Sequence, residues 1–460
     1  MRLLRVLVPT TVLGLLISEV LLLMACYTVA AIYTLDLDPV VFLVYEANYW
    51  KLVFVIVVIV VLLYFQDLYA DCRVRSRIAL VQQICMAVGG ALLALAFFGY
   101  VIPDWVMPRA MMVLGSALVV VFAPLWRIFY ARFVVNALQT ERLLLLGNSS
   151  ILAESASHIL GRPELGYSIL GYLCEVEPVN SFPVPCLGKL SDLREIEAQL
   201  KPTRIVVGMQ ERRGRLPVQD LLEIRFSGTV IEDAADMYEV ATRRVCSGKI
   251  QPSQLIFTSE LGPRRQALAL HDLYSFVLGL VGLVVTLPVM LVVAIAVKLT
   301  SRGPVIYKQR RVGVNGRPFN VYKFRSMYLN AEARTGAVWA KKDDPRITPL
   351  GKWLRLLRLD ELPQFWNVVA GDMAIVGPRP ERPEFVETLA MQIPYYRQRL
   401  AVKPGITGWA QINHKYGDSD LDAMIKLEYD LYYIKHVSTA LDAYIIFHTL
   451  KVMILSRGAQ

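Results

Sequence analysis

The sequence predicts a membrane α-helical bundle of four transmembrane helices, then a soluble α/β domain, then an α-rich domain that dips into the membrane through a re-entrant helix. Three observations predict it. Four apolar segments occupy the first ~130 residues; short apolar runs alternate with helical stretches over 140–258; and an uncharged run at 273–297 is basic on both flanks. Composition agrees: of 460 residues, 55% are hydrophobic and 19% charged, against about 25% charged in soluble domains. That excludes a disordered, collagen-like or wholly soluble chain. The net charge of +10 suits anionic partners such as phospholipid headgroups and phosphates.

The four apolar segments run 7–35, 50–66, 79–103 and 109–126, each near the ~20 residues needed to cross hydrocarbon. The first is too long, and its basic start too short, for a cleaved signal peptide. Glu19 lies inside it, either as a functional acid or as one paired with a polar group on a neighbouring helix. Arg73, Arg75 and Arg77 sit in one loop, whereas 36–48 carries Asp36, Asp38 and Glu46 without a cation. Arg2 and Arg5 open the chain, and Arg127 and Arg132 follow the fourth segment. By the positive-inside rule both ends of this domain (1–130) are expected to face the cytoplasm, and the soluble parts with them.

Residues 131–260 read as a cytoplasmic Rossmann-like α/β domain. Arg142–Gly147 is an apolar run closed by glycine, with a helical stretch at 151–161. Ile205–Gly208 follows a polar helix at 190–200, and Thr229–Ile231 comes later. Short apolar runs alternating with helices predict a parallel sheet. The G-x-G-x-x-G dinucleotide fingerprint is not met, because Asn148, Ser149 and Ser150 follow Gly147, and no Tyr-x-x-x-Lys pair is present. A regulatory or dimerising module fits better than a cofactor domain. With the bundle, it offers surfaces for a homodimer.

The third domain, 261–460, opens with the uncharged run 273–297. Arg264 and Arg265 precede it; Lys298, Arg302, Lys308, Arg310 and Arg311 follow. A crossing would place the second cluster outside, against the charge rule. Pro288, in mid-run, removes a helical hydrogen bond and bends the helix. A helix that enters, breaks at Pro288 and returns to the same face meets both conditions. The six cysteines form no C-x-x-C pair and the five histidines no H-E-x-x-H motif, so neither a disulfide framework nor a zinc site is expected.

Four blocks carry the chemistry. Lys308–Gly313 leads to Tyr322–Met327; Leu354–Gln364 holds adjacent Asp360 and Glu361; Gly371–Pro380 and Lys403–Asn413 follow. Carboxylates amid many arginines suit phosphoryl transfer, where catalysis is largely charge compensation and positioning. Arginine forks grip phosphate oxygens, and a carboxylate can attack phosphorus to split one transfer into two. A hard cation with few protein ligands, Mg²⁺, suits the same site. Adjacent acids lie ~100° apart on a helix, so they serve one site from a helix end or divide into nucleophile and support. Trp353, Leu354, Leu356 and Leu357 interleave with Lys352, Arg355 and Arg358, a basic amphipathic stretch of the kind that lies in a bilayer interface.

The order L-D-E-L-P-Q, V-G-P-R-P, K-P-G-I-T-G-W-A-Q resembles the bacterial polyprenyl-phosphate hexose-1-phosphate transferases, monotopic phosphoglycosyl transferases, over roughly 264–460. The bundle and α/β insert resemble the long members that initiate exopolysaccharide synthesis. The resemblance implies transfer of hexose 1-phosphate from a UDP-sugar to undecaprenyl phosphate with release of UMP. It implies Asp360 as nucleophile and Mg²⁺ contact, with Glu361 as its dyad partner. Arg379, Arg355 and Lys323 would hold phosphate oxygens, with Arg325 and Arg358 as further candidates. Thr407, Gly408 and Gln411 would shape the nucleotide end. Pro288 matches the proline that breaks the re-entrant helix, although Leu287 stands where relatives often have serine, leaving Thr286 to cap the break. Glucose is the expected sugar, as for many starters of this kind, although no motif reports it. Two other readings stand beside this one: a membrane-bound NAD-dependent nucleotide-sugar dehydratase or epimerase, and a non-catalytic assembly scaffold. No nucleic-acid partner is expected, because the basic residues cluster beside apolar segments.

Overall fold

A computed structural model describes residues 10–35, 48–69, 76–134, 141–175, 182–209, 215–247, 265–329, 344–414 and 419–454, with the pairs 2–3, 6–7 and 41–42. The chain divides into two compact units, essentially Leu7–Met237 and Tyr238–Gln460.

The first unit begins with four helices: α1 (Thr10–Thr34), α2 (Tyr49–Phe65), α3 (Arg77–Val101) and α4 (Arg109–Phe129). They match the four apolar segments. α1, α3 and the α4 region are long and apolar enough to cross a membrane, whereas α2 has 17 residues, about 25 Å of helix. Small residues allow close packing: a Cβ on Gly115 of α4 would lie 2.4 Å from the Tyr27 ring of α1. Glu19 takes the pairing role. It is 1% exposed, its Oε1 lies 2.5 Å from Arg127 Nε, and it accepts a hydrogen bond from Tyr69. Arg127 also donates to the Leu68 carbonyl at 2.6 Å, so the arginine is shared between the carboxylate and a helix end.

The predicted parallel sheet follows. Its strands are β1 (Glu141–Leu146), β2 (Tyr167–Cys174), β3 (Cys186–Lys189), β4 (Arg204–Val207) and β5 (Val230–Asp233), all parallel, in the order β3-β2-β1-β4-β5. Central β1 buries four consecutive leucines because helices cover both faces of a parallel sheet. β2 and β3 escape the sequence pattern: the first half of β2 is only half-buried and its register shifts beside Gly171, so no continuous apolar run marks it. Helix α5 (Ser150–Gly161) starts where the Ser149 side chain accepts from the Leu152 N–H; α6 (Leu193–Leu200) and α7 (Val218–Phe226) complete the crossovers. Gly147 turns the chain at φ +100°, and a Cβ there would meet the Gly208 carbonyl at 2.6 Å.

Helix α8 (Ala234–Thr242) spans the division, and its last residues belong to the second unit. There α9 (Arg265–Thr300) is one 36-residue helix with Pro288 inside it, about 54 Å long if straight. A hairpin of β6 (Ile306–Val312) and β7 (Pro318–Phe324) comes next, then α10 (Pro349–Leu356) and α11 (Gln364–Val369). Two short parallel strands, β8 (Ala374–Val376) and β9 (Gly405–Thr407), flank α12 (Pro383–Gln392). Helices α13 (Trp409–Asn413), α14 (Asp420–His436) and α15 (Thr439–Ile454) close the unit. Trp409, Leu427, Tyr432, Tyr433 and Ile445 centre its core.

Candidate active site

Thr348 caps α10 by accepting the Gly351 N–H at 2.9 Å, and Pro349 suits the first helical position. The helix stops at Arg358, which takes φ +54°, and a single 3₁₀ turn, Leu359–Glu361, carries the two acids. Leu359 and Leu362 on either side of them pack with Val293 and Val297 of α9, Phe324 of β7 and Leu354. The acids therefore rest on the C-terminal half of the apolar helix. Beside them, Trp353 is 64% exposed, and Leu356 and Leu357 are also exposed among Lys352, Arg355 and Arg358.

The turn splits the acids. Glu361 gathers cations: Lys323 Nζ at 2.7 Å, Arg379 Nη2 at 3.2 Å and Arg358 Nη1 at 3.8 Å. Burial alone would raise its pKa, but Lys323 and then Arg379 outweigh it and hold the carboxyl well below its ordinary range. Asp360 is 8% exposed, and no hydrogen bond or ion pair among the described residues engages its carboxylate. Burial pushes it up to about 6 against the pull of Lys323, with the Glu361 charge adding to the rise and Arg355 and Arg379 opposing it. One acid is thus a fixed anion holding cations in place; the other is uncommitted. Arg355 Nη1 is buried without a hydrogen-bond partner, a donor left open near Asp360.

Arg379 is placed by its backbone. Gly377 N–H donates to Thr407 O at 2.8 Å and Gly405 N–H to Pro378 O at 3.0 Å. Arg399 Nη2 donates to Arg379 O at 3.1 Å and Arg311 Nη1 to Pro380 O at 3.0 Å. Val312 N–H donates to Glu381 O at 2.9 Å. The V-G-P-R-P and K-P-G-I-T-G blocks interlock through their glycines: a Cβ on Gly405 would lie 2.1 Å from Gly377 N, and one on Gly408 2.2 Å from Gly377 O. Arg399 is itself held by Asp430 at 2.8 Å.

Of the expected site residues, Lys323, Arg358 and Arg379 meet at Glu361, and Arg355 adds its charge at Asp360. Arg325 turns away, donating to the Ser301 carbonyl and hydroxyl at 2.8 and 2.6 Å. Thr407 bonds Thr449 at 2.6 Å, and Gln411 donates to Ile406 O at 3.2 Å, so with Gly408 they build the scaffold under the Arg379 loop. Pro288 lies inside α9, which continues as one helix from Arg265 to Thr300, so the break expected there does not interrupt the helix. Sequence reasoning missed Asn367, which is fully buried: its side chain donates to Asn320 O at 2.7 Å and accepts the Tyr322 N–H at 3.1 Å, tying β7 to α11. The one signal was a polar residue inside the run Phe365–Val369. Arg311 was legible only as part of a basic block and Arg399 was not singled out; neither has neighbours in sequence that reveal its carbonyl partner.

Among the described residues no group of three His, Cys, Asp or Glu could hold a metal. A lone uncommitted carboxylate fits Mg²⁺ in its usual protein setting, where one or two carboxylates and substrate phosphates share the ion.

Residues 266–456 match the family model described as bacterial sugar transferase. An N-acetylgalactosaminephosphotransferase of Aeromonas hydrophila that uses undecaprenyl phosphate, by its name, is 49% identical over 173 residues, 38% of this chain and 41% of that one. The undecaprenyl-phosphate glucose phosphotransferase of Komagataeibacter xylinus is 46% identical over 195 residues, 41% of this chain and 36% of that one. The chain thus spans well under half the length of these two relatives. The UDP-glucose:undecaprenyl-phosphate glucose-1-phosphate transferase of Xanthomonas campestris pv. campestris is 33% identical over 351 residues, 73% of this chain and 71% of that one. With that coverage and the motif geometry together, the chain belongs to the bacterial sugar transferase family.

Proposed function

We propose that the protein transfers hexose 1-phosphate from a UDP-sugar to undecaprenyl phosphate through a covalent aspartyl phosphosugar, releasing UMP and initiating exopolysaccharide synthesis. The observation that carries this is the split dyad: Glu361 is saturated by Lys323, Arg379 and Arg358, while adjacent Asp360 is buried and uncommitted. An Asp360 oxygen attacks the sugar-linked phosphorus; the bond from that phosphorus to the bridging oxygen breaks, and UMP leaves with that oxygen. A phosphate oxygen of the lipid then attacks the same phosphorus, and the acyl phosphate bond breaks to restore the Asp360 carboxylate. Lys323, Arg379 and Arg355 hold the phosphate oxygens and spread their charge, which is where catalysis of such transfers lies. Mg²⁺, held by Asp360 and substrate phosphates, would supply further charge neutralisation.

On this reading the site lies at the inner face of the membrane, with α9 bent at Pro288 and both its ends kept on that face by the basic residues Arg264, Arg265, Lys298 and Arg302 on its two flanks. Supporting this, elements of the same unit pack along both halves of α9: Val368 and Phe365 of α11 at Gly279 and Gly282, and Phe324 of β7 and Leu354 of α10 at Val293 and Val297. Glucose is the favoured sugar, since the Xanthomonas relative, which aligns over 73% of this chain and 71% of its own, is named for UDP-glucose.

The test is UMP release and lipid labelling from a panel of radiolabelled UDP-sugars in nanodiscs. Asp360→Asn should lower transfer by about 10³-fold or more; undiminished turnover would remove Asp360 as nucleophile.

A further inference from the structure

Residues Tyr238–Ser247 precede the stretch that the family model matches, yet they pack as part of the second unit. They converge on Glu428 of α14, which is 2% exposed. Tyr238 Oη donates to its carboxylate at 3.1 Å, the Ser247 N–H donates at 3.1 Å, and Arg244 Nη1 lies 3.5 Å away. The Val245 N–H donates to the Glu428 carbonyl at 3.1 Å, and the Val245 side chain joins the core. Toward the end of the same helix, buried Glu239 binds Lys435 at 2.8 Å and His436 at 2.6 Å. A buried carboxylate stays charged most readily when paired and hydrogen-bonded, as both of these acids are.

The segment also reaches the site's scaffold. The Arg243 carbonyl accepts the indole N–H of Trp409 at 3.1 Å, and the Trp409 ring stacks on Tyr432 with centroids 5.6 Å apart. Trp409 directly follows Gly408, whose backbone lies against the Gly377 carbonyl, two residues before Arg379.

We propose that residues 238–247 are a positioning strap for the transferase site: they hold Trp409, and through Gly408 against Gly377 they fix the loop that carries Arg379. This rests on the reading of Arg379 as a phosphate ligand. The strap touches no reacting atom and acts only through the loop. Loss of its bond to Trp409 therefore loosens one specific segment, Ala374–Arg382, rather than the whole unit.

Three variants of the full-length protein in nanodiscs test it. Trp409→Phe keeps an aromatic ring against Tyr432 and deletes only the donor to Arg243; Glu428→Ala removes the anchor; Glu428→Gln keeps an acceptor for Tyr238 and Ser247. Hydrogen exchange at 374–382 should rise about 5-fold or more in Trp409→Phe and Glu428→Ala and stay near wild type in Glu428→Gln. kcat/KM should fall about 10-fold in Trp409→Phe, and the Trp409→Phe/Arg379→Lys double variant should lose little beyond Arg379→Lys alone. Unchanged exchange at 374–382 in Trp409→Phe, or fully multiplicative kinetic losses, would overturn the strap. Should Glu428→Ala fail to fold, Trp409→Phe carries the test. If the wild-type protein turns over no UDP-sugar, the site reading fails, while the exchange measurement still judges the strap.

Discussion

Adjacent acids in one 3₁₀ turn end up with different work because their neighbours differ. Glu361 points into Lys323 and Arg379, and Asp360 does not. Glu361→Gln should therefore leave Lys323 and Arg379 without their counter-charge and lower kcat/KM by about 10–100-fold, measured as UMP release, yet less than Asp360→Asn does. The motif names both acids in the sequence; their division of labour depends on cations 18 and 38 residues away, which no local pattern reports. A second buried acid yields a pH prediction. Asp442 accepts hydroxyl donors from Tyr274 and, at 2.8 Å, from Tyr433, and burial pushes its pKa up to about 8. Its folded pKa is thus raised above the unfolded value near 3.8, so its contribution to stability is fully present below pH ~4 and is lost as pH rises to about 8. The Tm in detergent should fall across that window in wild type and flatten in Asp442→Asn, which still accepts from one tyrosine.

At the scale of elements, the site is an interlock of short pieces. Strands β8 and β9 are three residues each, and what sets their spacing is glycine at 377, 405 and 408. Gly408→Ala would push a methyl into the Gly377 carbonyl, displacing the Arg379 loop at a cost of about 1–3 kcal/mol. Transfer should fall more steeply than the thermal midpoint. Asn367→Ala would orphan the Tyr322 N–H and the Asn320 carbonyl, destabilising the unit by about 2 kcal/mol or more by thermal unfolding. The long helices and the basic amphipathic stretch were legible because apolar periodicity and length are local properties. The β6–β7 hairpin, β2 and β3 were not: their strands are half-exposed, and their stability comes from partners distant in sequence.

For the whole molecule, the hydrophobic excess is divided between the helical bundle of the first unit and α9 of the second. In the bundle, Arg127→Ala would leave Glu19 buried beside Tyr69 alone and cost about 3–5 kcal/mol, whereas a Glu19→Leu/Arg127→Leu pair should restore most of the loss. Thermal unfolding of the single and double variants checks this. Topology is tested by labelling an introduced cysteine near residue 320 from either side of the membrane; external labelling would overturn the re-entrant path. By itself the sequence determined the four apolar helices, the parallel α/β sheet, the uncharged run around Pro288 and the motif set that marks the family, because each follows from patterns a few residues long. Only the tertiary structure decided that Glu361 and not Asp360 holds the cations, that Arg325, Thr407 and Gln411 brace the scaffold, and that residues 238–247 pack with the unit of the motifs. The physical reason is range: charge pairing, burial and glycine contacts join residues tens to hundreds of positions apart, and only the folded chain brings them within hydrogen-bonding distance.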